Sequence, residues 1–232
     1  MSYSAHLALV LLAVTGCAQA GGAAIEQDAG GGGDRADGGS NPIPNIDAAP
    51  PIDAAPPIDA PPGCTPMTTQ LLVNPNFDAT PIGMGWTAMP INATYPIITA
   101  DGTLIQSAPN KAWMGGLEAT PNIDVLYQDV MVPTGTTILS LTGYYQVRSG
   151  ELPFLPFDFI DVQLTTTTGT LLESVLALDN IDTTTQWTPF TKNFAMPHAG
   201  QTVRLHVSTD SDRSNATSFF LDTLALTSTK CL

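Results

Sequence analysis

Apolar and polar side chains alternate along three segments of the chain, and this alternation restricts its fold more than any other feature. Successive side chains of a β-strand point to opposite faces, so the pattern predicts strands with one buried and one solvated face. The inward sets are Leu139, Leu141, Gly143, Tyr145 and Val147, then Ile160, Val162 and Leu164, then Val203, Leu205 and Val207.

The whole region from residue 64 to residue 232 has the same character. Gly, Pro, Asn and Asp interrupt it at short intervals, and no segment keeps a helical apolar period. Many short strands between turns predict an all-β domain, a β-sandwich or jelly roll. The predicted strands are 69–73, 95–99, 111–114, 125–132, 137–147, 157–166, 170–178, 186–194, 202–209 and 218–227.

The N-terminus carries an export pattern. The apolar run Leu7–Val14 is too short to span a bilayer. The residues that follow, Val14 to Cys17, resemble a bacterial lipobox. That resemblance implies that residues 1–16 are a signal peptide and that Cys17 is lipidated. The chain is therefore expected to be exported and lipid-anchored to the bacterial outer membrane or cell surface. The alternative is an ordinary signal peptide followed by a chance cysteine.

Residues 17–63 form a Pro/Gly/Ala-rich segment with a Gly run at 30–33 and hexads of Ile-Asp-Ala-Ala-Pro-Pro that begin at Ile46. Its apolar side chains are too few to offset the entropy cost of folding, so a disordered linker is expected. Paired prolines favour an extended polyproline II spacer, and a Pro-rich recognition motif is the alternative.

The other two cysteines flank the predicted domain. Cys64 stands where the low-complexity segment ends, and Cys231 is the penultimate residue. A disulfide between them would join the two ends of one domain in an oxidising compartment. The alternative is two free thiols.

Composition excludes several function classes. The chain has 7 Lys plus Arg against 21 Asp plus Glu, a formal charge of −14. No cluster of basic residues is available for nucleic acid, and attachment to the membrane is left to the lipid anchor. No nucleophile elbow, phosphate-binding loop or recognisable pair of catalytic carboxylates occurs, so the chain is not expected to be an enzyme.

The outward side chains of the three alternating segments define a candidate binding surface. If these strands share one sheet, an aromatic ring and planar hydrogen-bonding groups converge, a combination that suits sugars. Ordinary solvated strands have the same appearance. Trp86, Trp113 and Trp187 are instead expected to be core anchors. The candidate ligand-binding residues are Tyr144, Gln146, Asp161, Gln163, Arg204 and His206.

Short motifs follow one another along the predicted domain. They are Leu71–Asp78, Gly85-Trp86, Trp113–Gly116, Asp124–Gln128, Gly200–Leu205 and Phe219–Leu224. In this order they resemble galactose-binding-like jelly-roll modules, including carbohydrate-binding modules, and the resemblance covers nearly everything from Leu71 to Thr227. It implies a single jelly-roll β-sandwich that is non-catalytic and serves in binding or domain support.

The resemblance also implies a structural calcium ion, with Asp78 and Asp222 at the matching positions. Alternation independently places Asp222 on the face of Phe220, Leu224 and Leu226, where a carboxylate needs a partner. A hard cation would supply one, as would Arg or backbone amides.

Three functions are left open. The favoured one is a surface-tethered, non-catalytic ligand-binding lipoprotein whose partner is a polysaccharide or other glycan. The alternatives are a protein-interaction or structural envelope module that binds an envelope protein, and an accessory protein of a hydrolase.

Overall fold

Residues 63, 65–117 and 123–231 are described by the computed structural model, and they form two antiparallel sheets without a helix. No helix long and apolar enough to cross a membrane occurs in this described part. All described residues belong to one compact unit, which spans Pro57–Leu232. The strands are β1 (Pro66–Gln70), β2 (Thr87–Met89), β3 (Ile98–Thr99), β4 (Lys111–Gly115), β5 (Val125–Met131), β6 (Thr136–Ser149), β7 (Phe159–Thr166), β8 (Leu171–Asp179), β9 (Thr188–Asn193), β10 (Thr202–Asp210) and β11 (Thr217–Cys231).

The two sheets face each other across one apolar core. The first sheet has the order β3-β4-β11-β6-β9, with β1 also paired to β11, and the second has the order β2-β5-β10-β7-β8. Leu141, Val162 and Leu205 are completely or almost completely buried between them. The all-β sandwich predicted from alternation is confirmed. Most predicted strands start and end close to observed ones, but the first is displaced and the second begins before β3. The last ends before β11 does, and β2 was not predicted.

Trp86 is a core anchor, as expected. Its indole N–H donates to the Asn74 carbonyl at 2.9 Å, and its ring lies 5.2 Å from the Phe77 ring. The expectation is wrong for Trp113 and Trp187. Both pack against Phe220 on the outer side of the first sheet, with ring centroids 5.4 and 6.4 Å away.

The outer face of the first sheet carries a second layer of buried residues. The β3–β4 loop lies over it, because the backbone amides of Gln106 and Ser107 donate to Asp222 on β11. Gln146 on β6 is consequently only 1% exposed, although alternation predicts a solvated position. Local periodicity reports which side of a strand a residue occupies, and a covering loop decides whether that side meets water.

An irregularity in β11 also changes one prediction. The pairing with β6 shifts register between Asp222 and Ala225, and Thr223 has φ of 51°. A bulge of this kind moves the following side chains to the opposite face. Leu224 and Leu226 therefore enter the core, whereas Phe220 and Asp222 stay on the outer side.

One end of the sandwich carries the start of β1 and the end of β11, and the opposite end carries a group of loops. β1 begins at Pro66, which pairs with Cys231 at the end of β11. Cys231 is disulfide-bonded, whereas Cys64 lies outside the described residues, so the 64–231 pairing stays a prediction. Cys17 and the predicted signal peptide also lie outside the described residues, as does the predicted linker apart from Gly63. The opposite end carries the β2–β3, β4–β5, β6–β7, β8–β9 and β10–β11 loops.

Candidate functional site

Four of the six predicted ligand-binding residues lie together on the outer face of the second sheet. Asp161 and Gln163 are on β7, and Arg204 and His206 are on the neighbouring strand β10, where His206 pairs with Gln163. All four are partly exposed. The structure adds Tyr127 on β5, which pairs with His206 from the other side.

An ion pair orders this polar face and covers its aromatic ring. Arg204 donates from Nε and Nη2 to the two Asp129 oxygens at 2.6 and 2.9 Å. These bonds hold the pKa of the Asp129 carboxyl below its usual range. The Arg204 guanidinium carbon also lies 3.8 Å from the Tyr127 ring centroid. One face of the Tyr127 ring and the Nε and Nη2 donors of Arg204 are therefore occupied and are not available to a ligand.

The pKa of His206 lies below the ordinary value for histidine. Burial lowers the pKa of its imidazole first, and the neighbouring Arg204 charge lowers it further, while Asp161 opposes both. This face therefore presents an imidazole with a lowered pKa and the Asp161 carboxylate beside the Arg204–Asp129 ion pair.

Tyr144 and Gln146 do not join this surface, which corrects the premise that the three strands share a sheet. Both residues are on β6 in the first sheet, whereas β7 and β10 are in the second. Tyr144 pairs with Asp222 and is partly buried, and Gln146 is buried as described above. The set of six is therefore divided between opposite sides of the sandwich.

A concave site lies instead at the end of the sandwich that carries the β2–β3 loop. It is a pocket of about 230 Å³ with aromatic, amide and carboxylate groups in its walls. Tyr95, which is 60% exposed, and Trp113 are the two aromatic residues in its lining. The lining residues are Asn92, Tyr95, Pro96, Thr99, Asp101, Trp113, Gly115, Gly116, Leu117 and Asp124.

Asp124 fixes the walls of this pocket. Its Oδ1 accepts the Ile91 amide of the β2–β3 loop at 2.9 Å, and its Oδ2 accepts the Gly115 amide at the end of β4 at 2.8 Å. One carboxylate thus joins a loop to a strand of the first sheet. Asn92 then closes a turn by accepting the Thr94 amide on its side chain at 3.0 Å, and this turn presents Tyr95.

Glycine is required at the base of the pocket. Gly115 and Gly116 have φ of 71° and 82°, a region that side chains other than glycine rarely adopt. A Cβ atom on Gly115 would meet the Thr217 carbonyl oxygen at 2.5 Å, and one on Gly116 would meet the Trp113 Nε1 at 3.0 Å. The two glycines let β4 turn sharply beside the Trp113 ring.

A buried ammonium group supports the floor. Lys111 is 1% exposed, donates to the Asp101 carbonyl oxygen, and lies 5.7 Å from the Trp113 ring centroid. Burial lowers the pKa of Lys111, and the Asp101 and Asp222 charges oppose that shift. Lys111 therefore holds Asp101 and Trp113 in fixed positions at the pocket.

Protein donors bind the carboxylates of both residues predicted to hold calcium. Asp78 accepts the Asn110 amide at 2.8 Å and the Asn76 side-chain amide at 2.7 Å, one on each oxygen. Both oxygens of Asp222 are likewise used by protein donors. Among the described residues, no group of three or more His, Cys, Asp and Glu is arranged to hold a metal.

Comparison with known proteins shows the fold. No protein-family profile and no curated protein matches the chain. A carbohydrate-binding module of family 61, solved in complex with β-1,4-galactotriose, is similar over 68% of this chain and 97% of its own, with 15% identity and a TM-score of 0.50. A family 16 carbohydrate-binding module has 21% identity over 67% of this chain and 98% of its own, with a TM-score of 0.42.

Sequence reasoning missed Tyr95, Asp101 and Tyr127 as site residues. Tyr95 was predicted to begin a strand, but Asn92 and Thr94 make the turn that exposes it. An Asn two residues before a Thr is a turn signal visible in the sequence. No comparable local signal marks Tyr127, since its position depends on the pairing of β5 with β10.

Proposed function

We propose that this domain is a non-catalytic carbohydrate-binding module and that the Tyr95–Trp113 pocket is its binding site. The observation that carries the proposal is one pocket whose lining combines an exposed tyrosine, Tyr95, and the packed Trp113 with the polar groups of Asn92 and Asp101. Aromatic rings stack on the apolar faces of sugars, and the carboxylate and amide accept and donate to hydroxyl groups.

The size of the pocket indicates how much of a glycan it holds. Its volume of about 230 Å³ is below the range of about 300–1,000 Å³ typical of sites for drug-sized ligands. A single sugar ring or chain end suits this space better than an extended segment. The family 61 module with the same fold was solved with a β-1,4-galactotriose, which makes galactose-containing oligosaccharides the first ligands to test.

Binding is favoured over hydrolysis by the way the carboxylates are used. Both carboxylate oxygens of Asp124 accept hydrogen bonds from backbone amides. Asp124 therefore holds the pocket wall in place rather than acting as an acid or base. A glycosidase needs two working carboxyls about 5–9.5 Å apart. Asp101 and Asp124 are the acids among the described residues that line the pocket. Because Asp124 is held by backbone amides, Asp101 has no second working carboxyl among these lining residues.

The position of the start of β1 supports a tethered module. Ser218 near the start of β11 pairs with Gly115 at the pocket, and Cys231 at its end pairs with Pro66. Thirteen strand residues at about 3.3 Å each separate these points by roughly 40 Å. In an exported protein anchored through Cys17, the pocket would lie at the end of the domain away from the attachment of the linker.

A glycan array probed with the full chain tests the proposal, followed by titration calorimetry on the strongest ligand. The Tyr95→Ala variant is expected to lose binding by about tenfold or more, because truncating an aromatic anchor at the centre of a binding site costs about 2 kcal/mol or more. Phe154→Ala, which removes another exposed aromatic ring at the same end of the domain, is the matched control and should bind normally. Equal binding by wild type and Tyr95→Ala would reject the pocket as the site.

A further inference from the structure

A patch of exposed apolar side chains lies beside the pocket end of the sandwich, on the β6–β7 loop and its neighbours. Phe154 is 77% exposed, Leu152 67% and Leu155 59%. Soluble domains rarely expose contiguous large apolar side chains without an interaction to make. We define the apolar loop patch as Leu152, Phe154, Leu155, Phe157, Phe159 and Ile181.

The backbone beneath this patch is held in place. The buried Asn180 side chain accepts the Phe157 amide at 2.6 Å and donates to the Leu155 carbonyl at 3.0 Å. At the other end of the loop, Gly150 donates to the Ala216 carbonyl at 3.0 Å. The exposed side chains are thus presented by an ordered loop, and little ordering entropy remains to be lost on binding.

Acidic residues surround the patch. Phe159 on β7 pairs with Asp179 on β8 and with Asp210 on β10, so its direct cross-strand neighbour on each side is an aspartate. The adjoining β10–β11 loop contains Arg213, but acids are in excess at this end of the domain. They are Glu151, Asp179, Asp182, Asp210 and Asp212, and we call them the acidic rim.

We propose that the apolar loop patch and its acidic rim form a docking surface for a protein partner that presents an apolar segment flanked by Lys or Arg. Opposite charges around an apolar centre favour encounter and fix orientation. A second copy of this chain would bring two acidic rims together, and an anionic lipid surface would repel the rim. This surface is separate from the glycan pocket, so it does not depend on glycan binding.

Fluorescence anisotropy with the full chain tests this surface. The probe is a labelled short peptide of alternating Lys and Leu, compared with a peptide of alternating Glu and Leu. The Lys-Leu peptide is expected to bind, and the double variant Phe154→Ser/Leu155→Ser is expected to weaken binding by about tenfold or more. The matched control Met131→Ser/Ile138→Ser removes two exposed apolar side chains at the opposite end and should bind like wild type.

Each other outcome overturns the proposal. Equal binding by all three proteins would mean that net charge alone attracts the peptide, and equal binding of the Glu-Leu peptide would remove the role of the rim. Self-association in analytical ultracentrifugation that the double variant abolishes would assign the patch to a second copy. Binding to phosphatidylcholine or phosphatidylglycerol vesicles would assign it to lipid.

Two further variants complete the test. The single variant Leu152→Ser repeats the peptide measurement if the double variant loses its thermal transition. Tyr95→Ala should leave peptide binding intact.

Discussion

Replacing Asp222 with alanine is expected to destabilise the domain strongly, because this carboxylate holds the β3–β4 loop on the first sheet. Asp222 is completely buried. Its Oδ2 accepts the Ser107 amide at 2.8 Å and the Gln106 amide at 3.2 Å, and its Oδ1 accepts the Thr223 amide at 2.7 Å. Alanine would leave these three amides without their acceptor.

The magnitude follows from those three amides. Each buried donor left unsatisfied costs about 1–3 kcal/mol, and removal of a buried charge offsets part of the sum, so we take the lower limit of about 3 kcal/mol. At about 2–4 °C per kcal/mol for a domain of this size, Tm should fall by about 6–12 °C. Asp161→Ala on the polar outer face of the second sheet is the matched control, with a change within about 0.5 kcal/mol.

Urea unfolding and thermal melts, each with and without a chelator, measure this effect. The wild-type Tm should be the same in both conditions, since protein donors use the oxygens of Asp78 and Asp222 that a calcium ion would need. The reasoning is refuted if Asp222→Ala changes the unfolding free energy by less than about 1 kcal/mol. It is also refuted if chelation alone lowers the wild-type Tm as much as the substitution does.

Four further predictions concern other parts of the chain. Burial raises the pKa of Asp158, so its contribution to stability is present below the ordinary carboxyl range and lost as pH rises through the raised pKa. Asp158→Asn should therefore flatten the pH dependence of unfolding in that window, and an unchanged profile would contradict this. Gly115→Ala should destabilise the domain by about 2 kcal/mol or more, measured by urea unfolding, because its Cβ meets a backbone oxygen at 2.5 Å; wild-type stability would contradict it. Peptide mapping without reduction should recover Cys64 linked to Cys231, and a Cys64 thiol that alkylates freely would refute the pairing. Labelled palmitate should enter the wild-type chain but not Cys17→Ser in a bacterial host, and equal labelling would exclude Cys17 as the lipidated residue.

Alternation was sufficient to predict the core but not the surfaces. Leu141, Val162 and Leu205 were assigned inward, and all three are buried between the sheets. Gln146 was assigned outward correctly with respect to the strand, yet it is buried because the β3–β4 loop covers that face. The position of a loop depends on contacts between residues distant in sequence. The alternation of apolar and polar residues along one strand contains no information about those contacts.

The division of the predicted site has a similar cause. Asp161 and Arg204 meet because β7 and β10 are neighbours, whereas β6 belongs to the other sheet. Strand order is set by connections between the sheets, so face assignment alone cannot decide which faces are shared. The bulge after Asp222 adds a second limit, since it reverses the face of Leu224 within a single strand.

The claim that the Tyr95–Trp113 pocket binds sugar is tested most directly by NMR on the full chain. The strongest ligand from the glycan array is titrated while the indole N–H and the backbone amide signals are followed. The account predicts a saturable shift of the Trp113 indole signal that Tyr95→Ala abolishes, with the Trp86 signal unchanged as the buried internal control. Shifts confined to Tyr127, Arg204 and His206 on the second sheet, or no array ligand that shifts Trp113, would contradict it.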